Sequence, residues 1–493
     1  STLYGMKVSL RGIELSREAA NSTYAMCSLI ADNVGCALFS TFFECLDARV
    51  GFSDADVLTL GCDYQEGVFW ALNLAAWMRS RGSTAHICIA RHGFENFSLL
   101  HHIDRLVQNE WFFGLVDSVI LHDEELPSTL AALARALNDG NLEGLDNIAI
   151  KPKEGAPRVL PLRPGAAGGK RRAPAEYHIP HDYFQSMDVP LENIVYSMCM
   201  VRNKCFYKKC TFCVQITKHL SDAAFEPSTE TERAIAACDE VVRHGVRLVN
   251  FMDEAMRPVD LRRFSEALLD RKIPVRWVGR MIAAAHPDEA TLRLMHEAGC
   301  VEILFGIESF EPAVLRGMGK ISGRRETSDE TLGMIRSYLD AGMFVILSMI
   351  YDFPAENAAA RATTRALAGQ IADPSRIAYI FNRFALFDTS QVFKDPARFG
   401  IGAVEERPAH NDIQYAFAYS RHSDPEPVTA QEITDYQALK FGIAPQRHAA
   451  LVARRGAALL DMAHSLDYNS IGFVHRVARN TTLLASLLEM ESV

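Results

Sequence analysis

The sequence predicts an α/β protein: a doubly wound N-terminal domain, an open, partial barrel of six strand–helix repeats, and a mainly helical C-terminal region. Short apolar runs alternate with amphipathic, helix-period segments, the pattern of parallel sheets covered by helices. That alternation stops at 152–175, a stretch rich in Pro, Gly, Ala and Arg that buries little apolar surface, and it resumes from 193. The composition agrees: 493 residues, 48% hydrophobic and 23% charged, support roughly three domains and exclude wholesale disorder, collagen-like repetition and an integral membrane bundle. A formal charge of -10 leaves no sequence-wide basic field for nucleic acid or anionic lipid.

Taken in order, residues 1–151 form the first domain. GMKVSL near the start, VLTLGC (57–62), AHICIAR (85–91), VDSVILHD (116–123) and LDNIAIK (145–151) read as strands of a parallel sheet, with helices over 66–81, 98–109 and 125–138. Residues 152–175 read as a linker. In the second domain, 176–400, strands fall at NIVYSMC, RLVNFMDEA (247–255), VRWVGRM (275–281), VEILFGIES (301–309), FVILSMIY (344–351) and RIAYIFNRFALF (376–387). Helices at about 227–244, 258–271, 287–298, 327–341 and 357–370 separate them. Six repeats are too few to close an eight-stranded barrel, and open sheets of this kind place their sites at the carboxyl ends of the strands. The region 401–493 carries helical patterns at about 428–441, 446–464 and 475–491, and Tyr468 and His475 are candidate substrate contacts unless they serve the core or surface.

The first twenty residues contain no apolar stretch of signal-peptide length, and nowhere do about 18 apolar residues run without charge, so a cytoplasmic protein is expected. Eleven cysteines is an odd number, which argues for reduced thiols or metal ligands over a disulfide framework. Cys27, Cys36, Cys45, Cys62, Cys88, Cys199, Cys238 and Cys300 lie scattered in apolar surroundings and read as small hydrophobes. The other three, Cys205, Cys210 and Cys213, are clustered as C-x4-C-x2-C in NKCFYKKCTFC, directly after the first strand of the second domain. Three thiolates on one short loop can wrap a metal centre and leave one coordination position open. A [4Fe-4S] cluster held this way keeps one iron free for a substrate or cofactor; structural zinc would need a fourth ligand, with Cys199 and His219 both six residues away.

With this loop, the strand before it and the strands after it, roughly residues 190–400 resemble the radical S-adenosylmethionine (SAM) enzymes, in the branch with an N-terminal cobalamin-binding-type domain. The commonest spacing in that superfamily is C-x3-C-x2-C, one residue shorter between the first two cysteines. The resemblance implies a Rossmann-like first domain and a partial (β/α)6 TIM-type barrel. It further implies that Cys205, Cys210 and Cys213 hold a [4Fe-4S] cluster whose open iron is chelated by the amino and carboxylate groups of SAM, and that electron transfer into the sulfonium yields a 5′-deoxyadenosyl radical. By position, Phe212 lies near the adenine, Asp253 and Glu254 accept from the SAM ammonium, Arg280 pairs with the SAM carboxylate, and Glu308 contacts the ribose. DFPAEN (352–357) resembles the family's turn beneath the adenine, with Ala355 where Gly is usual. Asp253, Arg280 and Glu308 also fit a buried ion-pair role, Phe212 simple packing, and Tyr207, Lys208 and Lys209 either a solvated loop or a tuning of cluster charge.

The first domain resembles the branch's cobalamin-binding domains in length, strand order and the run VDSVILHDEELPSTLAAL. A D-x-H-x-x-G motif is absent, Ala90-Arg91 stands where Gly-Gly is expected, and His86, His92, His101, His102 and His122 sit in no recognisable ligand context. Some relatives bind cobalamin without a protein ligand to cobalt, so cobalamin stays an open cofactor. The function implied is modification of an unactivated carbon of a small or peptide-derived metabolite: C-methylation with cobalamin, or oxidation, rearrangement or carbon–carbon bond formation with SAM alone. A zinc-stabilised binding protein is the non-enzymatic alternative. Expected partners are that substrate and an external electron donor such as flavodoxin or ferredoxin, with no membrane and no nucleic acid.

Overall fold

The computed structural model describes residues 2–455 apart from 4–5, 10–11, 15–19, 34–36, 63–64, 91–98, 122–125, 143, 153, 162–190, 192–193, 201–204, 215–226, 322–326, 374, 423–426 and 441–444. Arg91, His92, His122, His219, Tyr468 and His475 lie outside the described residues.

Five strands build the N-terminal sheet: β4 (Val57–Gly61), β5 (His86–Ala90), β6 (Ser118–Ile120), β7 (Ile148–Ile150) and β8 (Arg158–Val159). Successive side chains of a strand point to opposite faces, and β5 shows it. Ile87 and Ile89 join the core beneath helices Thr23–Asn33, Ala37–Val50 and Gln65–Ser80, while Cys88 and Ala90 pack with Leu133 and Ala136 of helix Leu126–Asp139. The sheet is therefore covered on both sides, as its continuous apolar strands require.

Three details differ from the sequence reading. Met6–Ser9 (β2) does not join this sheet but a separate antiparallel one with Thr2–Leu3 (β1) and Gly12–Glu14 (β3), because it pairs with its immediate neighbours in sequence. The edge is mixed, since β7 runs antiparallel to β6. Within the stretch read as linker, β8 pairs with β7, and the reason is apolar: Leu160 is buried with Ile148 and Ile150.

The second sheet has six strands, all parallel and in sequence order: β9 (Val195–Met198), β10 (Leu248–Phe251), β11 (Arg276–Ile282), β12 (Cys300–Glu308), β13 (Phe344–Tyr351) and β14 (Ile377–Arg383). Helices Pro227–Arg243, Pro258–Asp270, Glu289–Glu297, Ser328–Asp340 and Ala358–Gln370 connect them. Sequential order with helical crossovers curls the sheet into a partial barrel. The outer face is the main core: Ile303, Phe305 and Ile307 of β12 and Val345, Leu347 and Met349 of β13 pack among Leu261, Leu292 and Ile335 of the helices. Leu304, Phe344, Ile346, Ala378 and Ile380 form an apolar patch on the opposite, inner face.

Beyond β14 the chain departs from the single strand read over 376–387. Leu386–Phe387 (β15) pairs with Ala416–Phe417 (β17), and Ile401–Val404 (β16) pairs with Tyr419–Arg421 (β18), both antiparallel. Helices Ala430–Lys440 and Pro445–Arg455 follow. The first of these covers the β14 edge: Tyr436 stacks on Tyr351 with ring centroids 4.6 Å apart, and Glu432 receives Arg361 at 3.0 Å and Arg365 at 2.6 Å. An unpaired edge strand is thereby shielded.

Candidate functional site

The cysteine loop lies at the carboxyl edge of the six-stranded sheet. Cys205 bridges to Ala255, just past β10. The Cys213 amide donates to Cys210 O at 3.2 Å, closing a tight turn. The loop is pinned to the segment that follows β12 through helix Pro312–Gly317. The Thr211 amide donates to Met318 O at 2.9 Å and its hydroxyl to Gly317 O at 2.9 Å. The Tyr207 hydroxyl lies 2.8 Å and 2.9 Å from the carbonyl oxygens of Gly319 and Lys320. Gly319 has φ +70°, and a Cβ there would stand 2.4 Å from Lys209 O, so only glycine permits this approach.

Lys320 is the cation of the site. Its Nζ pairs with Glu308 Oε1 at 2.8 Å, donates to Gly306 O at 3.0 Å and stands 5.9 Å from the Phe212 ring. Burial opposes its charge, yet Glu308 foremost, then Cys210 and Cys213, hold the ammonium above its ordinary range. Burial pushes the Cys210 thiol up to about 11, and Lys320 is the main group pulling it back. Gly306 makes room for the pair, since a Cβ would meet Glu308 Oε1 at 2.7 Å and Lys320 Nζ at 2.9 Å.

Glu308 ends β12 at φ +68°, where the β12–β13 register shifts. Asp253 is fully buried at the end of β10, and its Oδ2 accepts the Met200 amide at 2.6 Å, tying the end of β9 to β10. Arg280 lies half-buried on β11 with a guanidinium nitrogen 3.8 Å from Met252 S. The Cys199 thiol senses the charges of Asp253, Arg280, Arg233 and Glu254, and burial, then Asp253, pushes it up to about 12. In the 352–357 turn the left-handed residue is Asp352, φ +65°, and not Ala355. Asp352 pairs with Arg383 at 2.8 Å and with Arg421, while its amide donates to Glu356 Oε2 at 2.6 Å.

Two groups thus emerge at neighbouring strand ends: the cysteines with Phe212, Glu308 and Lys320, and Asp253, Glu254 and Arg280, whose charges the Cys199 thiol senses. Sequence reasoning missed Lys320, because RGMGK lies outside any strand end and only the folded loop brings it to the cysteines.

The donor set fits a [4Fe-4S] cluster. Three thiols and a buried cation gather at one edge, and the nearest carboxylate is already paired. Among the described residues no three His, Cys, Asp or Glu side chains converge on a single ion. Three thiols on one loop, each able to bind its own iron, suit a four-iron cluster with one iron left open.

On the inner face of the barrel, Ser197 and Asn382 are exposed and Asn250, Arg280 and Ser348 half-buried, a polar lining open to a ligand. The Asn250 amide nitrogen lies 3.5 Å from Ser197 Oγ. Among the described residues no helix is long and apolar enough to cross a membrane.

Residues 201–368 match the Radical SAM superfamily. No curated protein matches the sequence. Among solved structures, the chain is similar to the radical SAM methyltransferase TsrM from Kitasatospora setae with cobalamin and a [4Fe-4S] cluster bound: 15% identity, TM-score 0.51, 78% of each chain covered. A second TsrM structure, with tryptophan substrate and aza-SAM bound, gives 14% identity, TM-score 0.53 and 86% of each chain. The cobalamin-dependent radical SAM enzyme OxsB with aqua-cobalamin bound gives 12% identity and TM-score 0.51 over 79% of this chain and 59% of that chain, so this chain spans under two thirds of OxsB. The chain therefore carries a radical SAM domain, which works with SAM and a [4Fe-4S] cluster, within the fold of the cobalamin-dependent radical SAM enzymes.

Proposed function

We propose that this protein methylates an unactivated carbon of a small or peptide-derived metabolite, using SAM and cobalamin. The observation that carries the reading is the cysteine loop docked at the carboxyl edge of the parallel sheet, beside a polar inner face and in the same chain as an N-terminal α/β sheet. Cys205, Cys210 and Cys213 would hold the cluster, which supplies the electron that cleaves SAM. Lys320 favours the thiolate form of Cys210 and, through their 2.8 Å contact, orients Glu308. Arg280, at the rim of the inner face, offers a charge-assisted partner to the SAM carboxylate, and Glu254 an acceptor for its ammonium. Asp253 acts through the backbone: its bond to the Met200 amide fixes where the chain leaves β9 for the cysteine loop. Phe212 packs with Met318 and Phe353 and gives the site an apolar wall. A corrin, if bound by the first domain, would supply the methyl group, and an external reductant such as flavodoxin or ferredoxin the electrons.

A second reading, radical chemistry without cobalamin, is favoured by Ala90, a fully buried side chain at the end of β5 where glycine would let a nucleotide tail approach.

Anaerobic protein grown with abundant cobalamin separates the two. About one cobalt per chain, with SAM converted to both 5′-deoxyadenosine and S-adenosylhomocysteine, is the expected result. Cobalt-free protein that still forms 5′-deoxyadenosine would overturn the methyltransferase. Cys205→Ala, Cys210→Ala and Cys213→Ala should each lose iron and sulfide together, and full iron in all three would overturn the cluster assignment.

A further inference from the structure

Among the described residues, one carboxyl oxygen on the barrel's inner face has no hydrogen-bond partner. Along β12, Ile303 and Phe305 point outward into the helix-covered core, while Leu304 packs on the inner face with Phe344 and Ile346. By the period of two, Glu302 shares the inner face with Leu304. The register places it in a transverse row: Ser197 opposite Asn250, Asn250 opposite Val278, Val278 opposite Glu302, and Glu302 opposite Phe344. Glu302 is only 5% exposed, and its Oε2 has no hydrogen-bond partner. Leaving a buried polar atom unpaired is costly, so a leucine or methionine here would be the cheaper core residue.

The charged groups around it do not explain it. β11 presents Val278, with Arg280 one layer further towards the carboxyl edge; β13 presents Phe344 and Ile346; β10 presents Asn250. On its own strand Cys300 is the titratable neighbour that senses it, and Glu308 lies at the far end. Burial alone pushes the Glu302 carboxyl up to about 8, so it is mostly protonated at neutral pH.

We propose that Glu302 receives a protonated amine of the substrate, which makes the substrate class an amine-bearing metabolite such as an amino acid, or a peptide with a free amine. The proposal rests on the reading of the inner face as the substrate cavity of a radical SAM enzyme. The choice of a carboxyl is the argument. A carbonyl or hydroxyl would be served by glutamine, which carries no titration cost, whereas only a carboxyl gains a full charge on meeting a cation in an apolar setting. As the ammonium arrives, the Glu302 O–H bond breaks, its proton leaves to solvent, and the ammonium keeps its own.

The test uses cluster-reconstituted, SAM-loaded wild-type protein with n-butylammonium and n-butyramide as probes, titrated calorimetrically at pH 7 in two buffers of different protonation enthalpy. Butylammonium should bind with release of close to one proton, and butyramide should not compete. Glu302→Gln and Glu302→Leu should abolish the release and weaken amine binding by about tenfold or more. A measurement that needs no variant is the pH profile of the wild type: release is near complete well below pH 8 and vanishes above it. Butyramide binding as tightly as the amine, amine binding unchanged in both variants, or no amine binding by wild type would each overturn the proposal. Iron content and SAM binding of the same preparation test the radical SAM reading separately: their loss with proton-coupled amine binding retained overturns that reading alone.

Discussion

Asp412 sits on the first turn of the helix that begins at Thr23, 389 positions earlier: its Oδ1 accepts the Thr23 amide at 2.7 Å, and its other oxygen accepts the Thr23 hydroxyl. Ser22 completes the end, its hydroxyl accepting the Ala25 amide at 3.2 Å and donating to His410 O at 2.6 Å. Asn109 donates to Thr23 Oγ1 at 2.6 Å, and Ile413 is buried in the N-terminal core. The segment after the barrel thus fastens the N-terminal domain by capping one of its helices, which satisfies orphan amides and places a carboxylate at the positive end of the dipole.

Asp412→Ala should therefore lower the stability of the N-terminal part by about 2–3 kcal/mol, since it strands the buried Thr23 amide and hydroxyl. Asp412→Asn, which keeps an acceptor, should lose less. Urea unfolding followed by tryptophan fluorescence, to which Trp70, Trp77 and Trp111 of the N-terminal part and Trp277 of the barrel contribute, checks this, and a curve for the alanine variant unshifted from wild type would count against the cap.

Gly319→Ala changes no cluster ligand. Its Cβ would nonetheless collide with Lys209 O at 2.4 Å in a left-handed backbone, so the cysteine loop must move. Iron and sulfide per chain after reconstitution should fall well below wild type, whereas Gly333→Ala, with nothing within 4 Å of its Cβ, should not.

Breaking the Glu308–Lys320 pair from one side leaves a buried charge alone. Lys320→Met should cost about 3–5 kcal/mol, while Lys320→Met with Glu308→Leu should cost less than the sum of the two single changes. Additive single and double values in chemical denaturation would mean that the two side chains do not share one interaction.

The pH dependence of stability should carry two opposite signs. Glu432, buried but hydrogen-bonded by Arg361, the Thr429 amide and Arg365, is held down to about 2. A depressed carboxyl stabilises fully above its unfolded value of 4.5, and that contribution is lost as pH falls towards 2. Glu356, pushed by burial up to about 7, does the reverse, costing stability as pH rises from 4.5 to 7. Glu432→Gln should destabilise by about 3 kcal/mol at pH 7 and by little at pH 2. Glu356→Gln should flatten the decline between pH 4.5 and 7. Denaturation midpoints across this range decide both.

The sequence by itself determined the order of the elements and the cysteine chemistry. Both are written locally: the apolar runs of β9 to β14 repeat at a period that forces a parallel sheet with helical crossovers, and C-x4-C-x2-C needs only its own eleven-residue stretch, NKCFYKKCTFC, to be recognised. Tertiary structure decided what no local pattern encodes. Lys320 reaches the cysteines only because Gly319 lets the chain after β12 pass close to their loop and Gly306 leaves room for the Glu308–Lys320 pair. Glu302 becomes a carboxyl facing the barrel interior only once a register shift between β11 and β12 sets which side of the strand it occupies. Met6–Ser9 left the N-terminal sheet, and Asp412 entered that domain's core, because strand partners and helix caps are chosen by proximity in the folded chain, to which a single sequence's periodicity is blind.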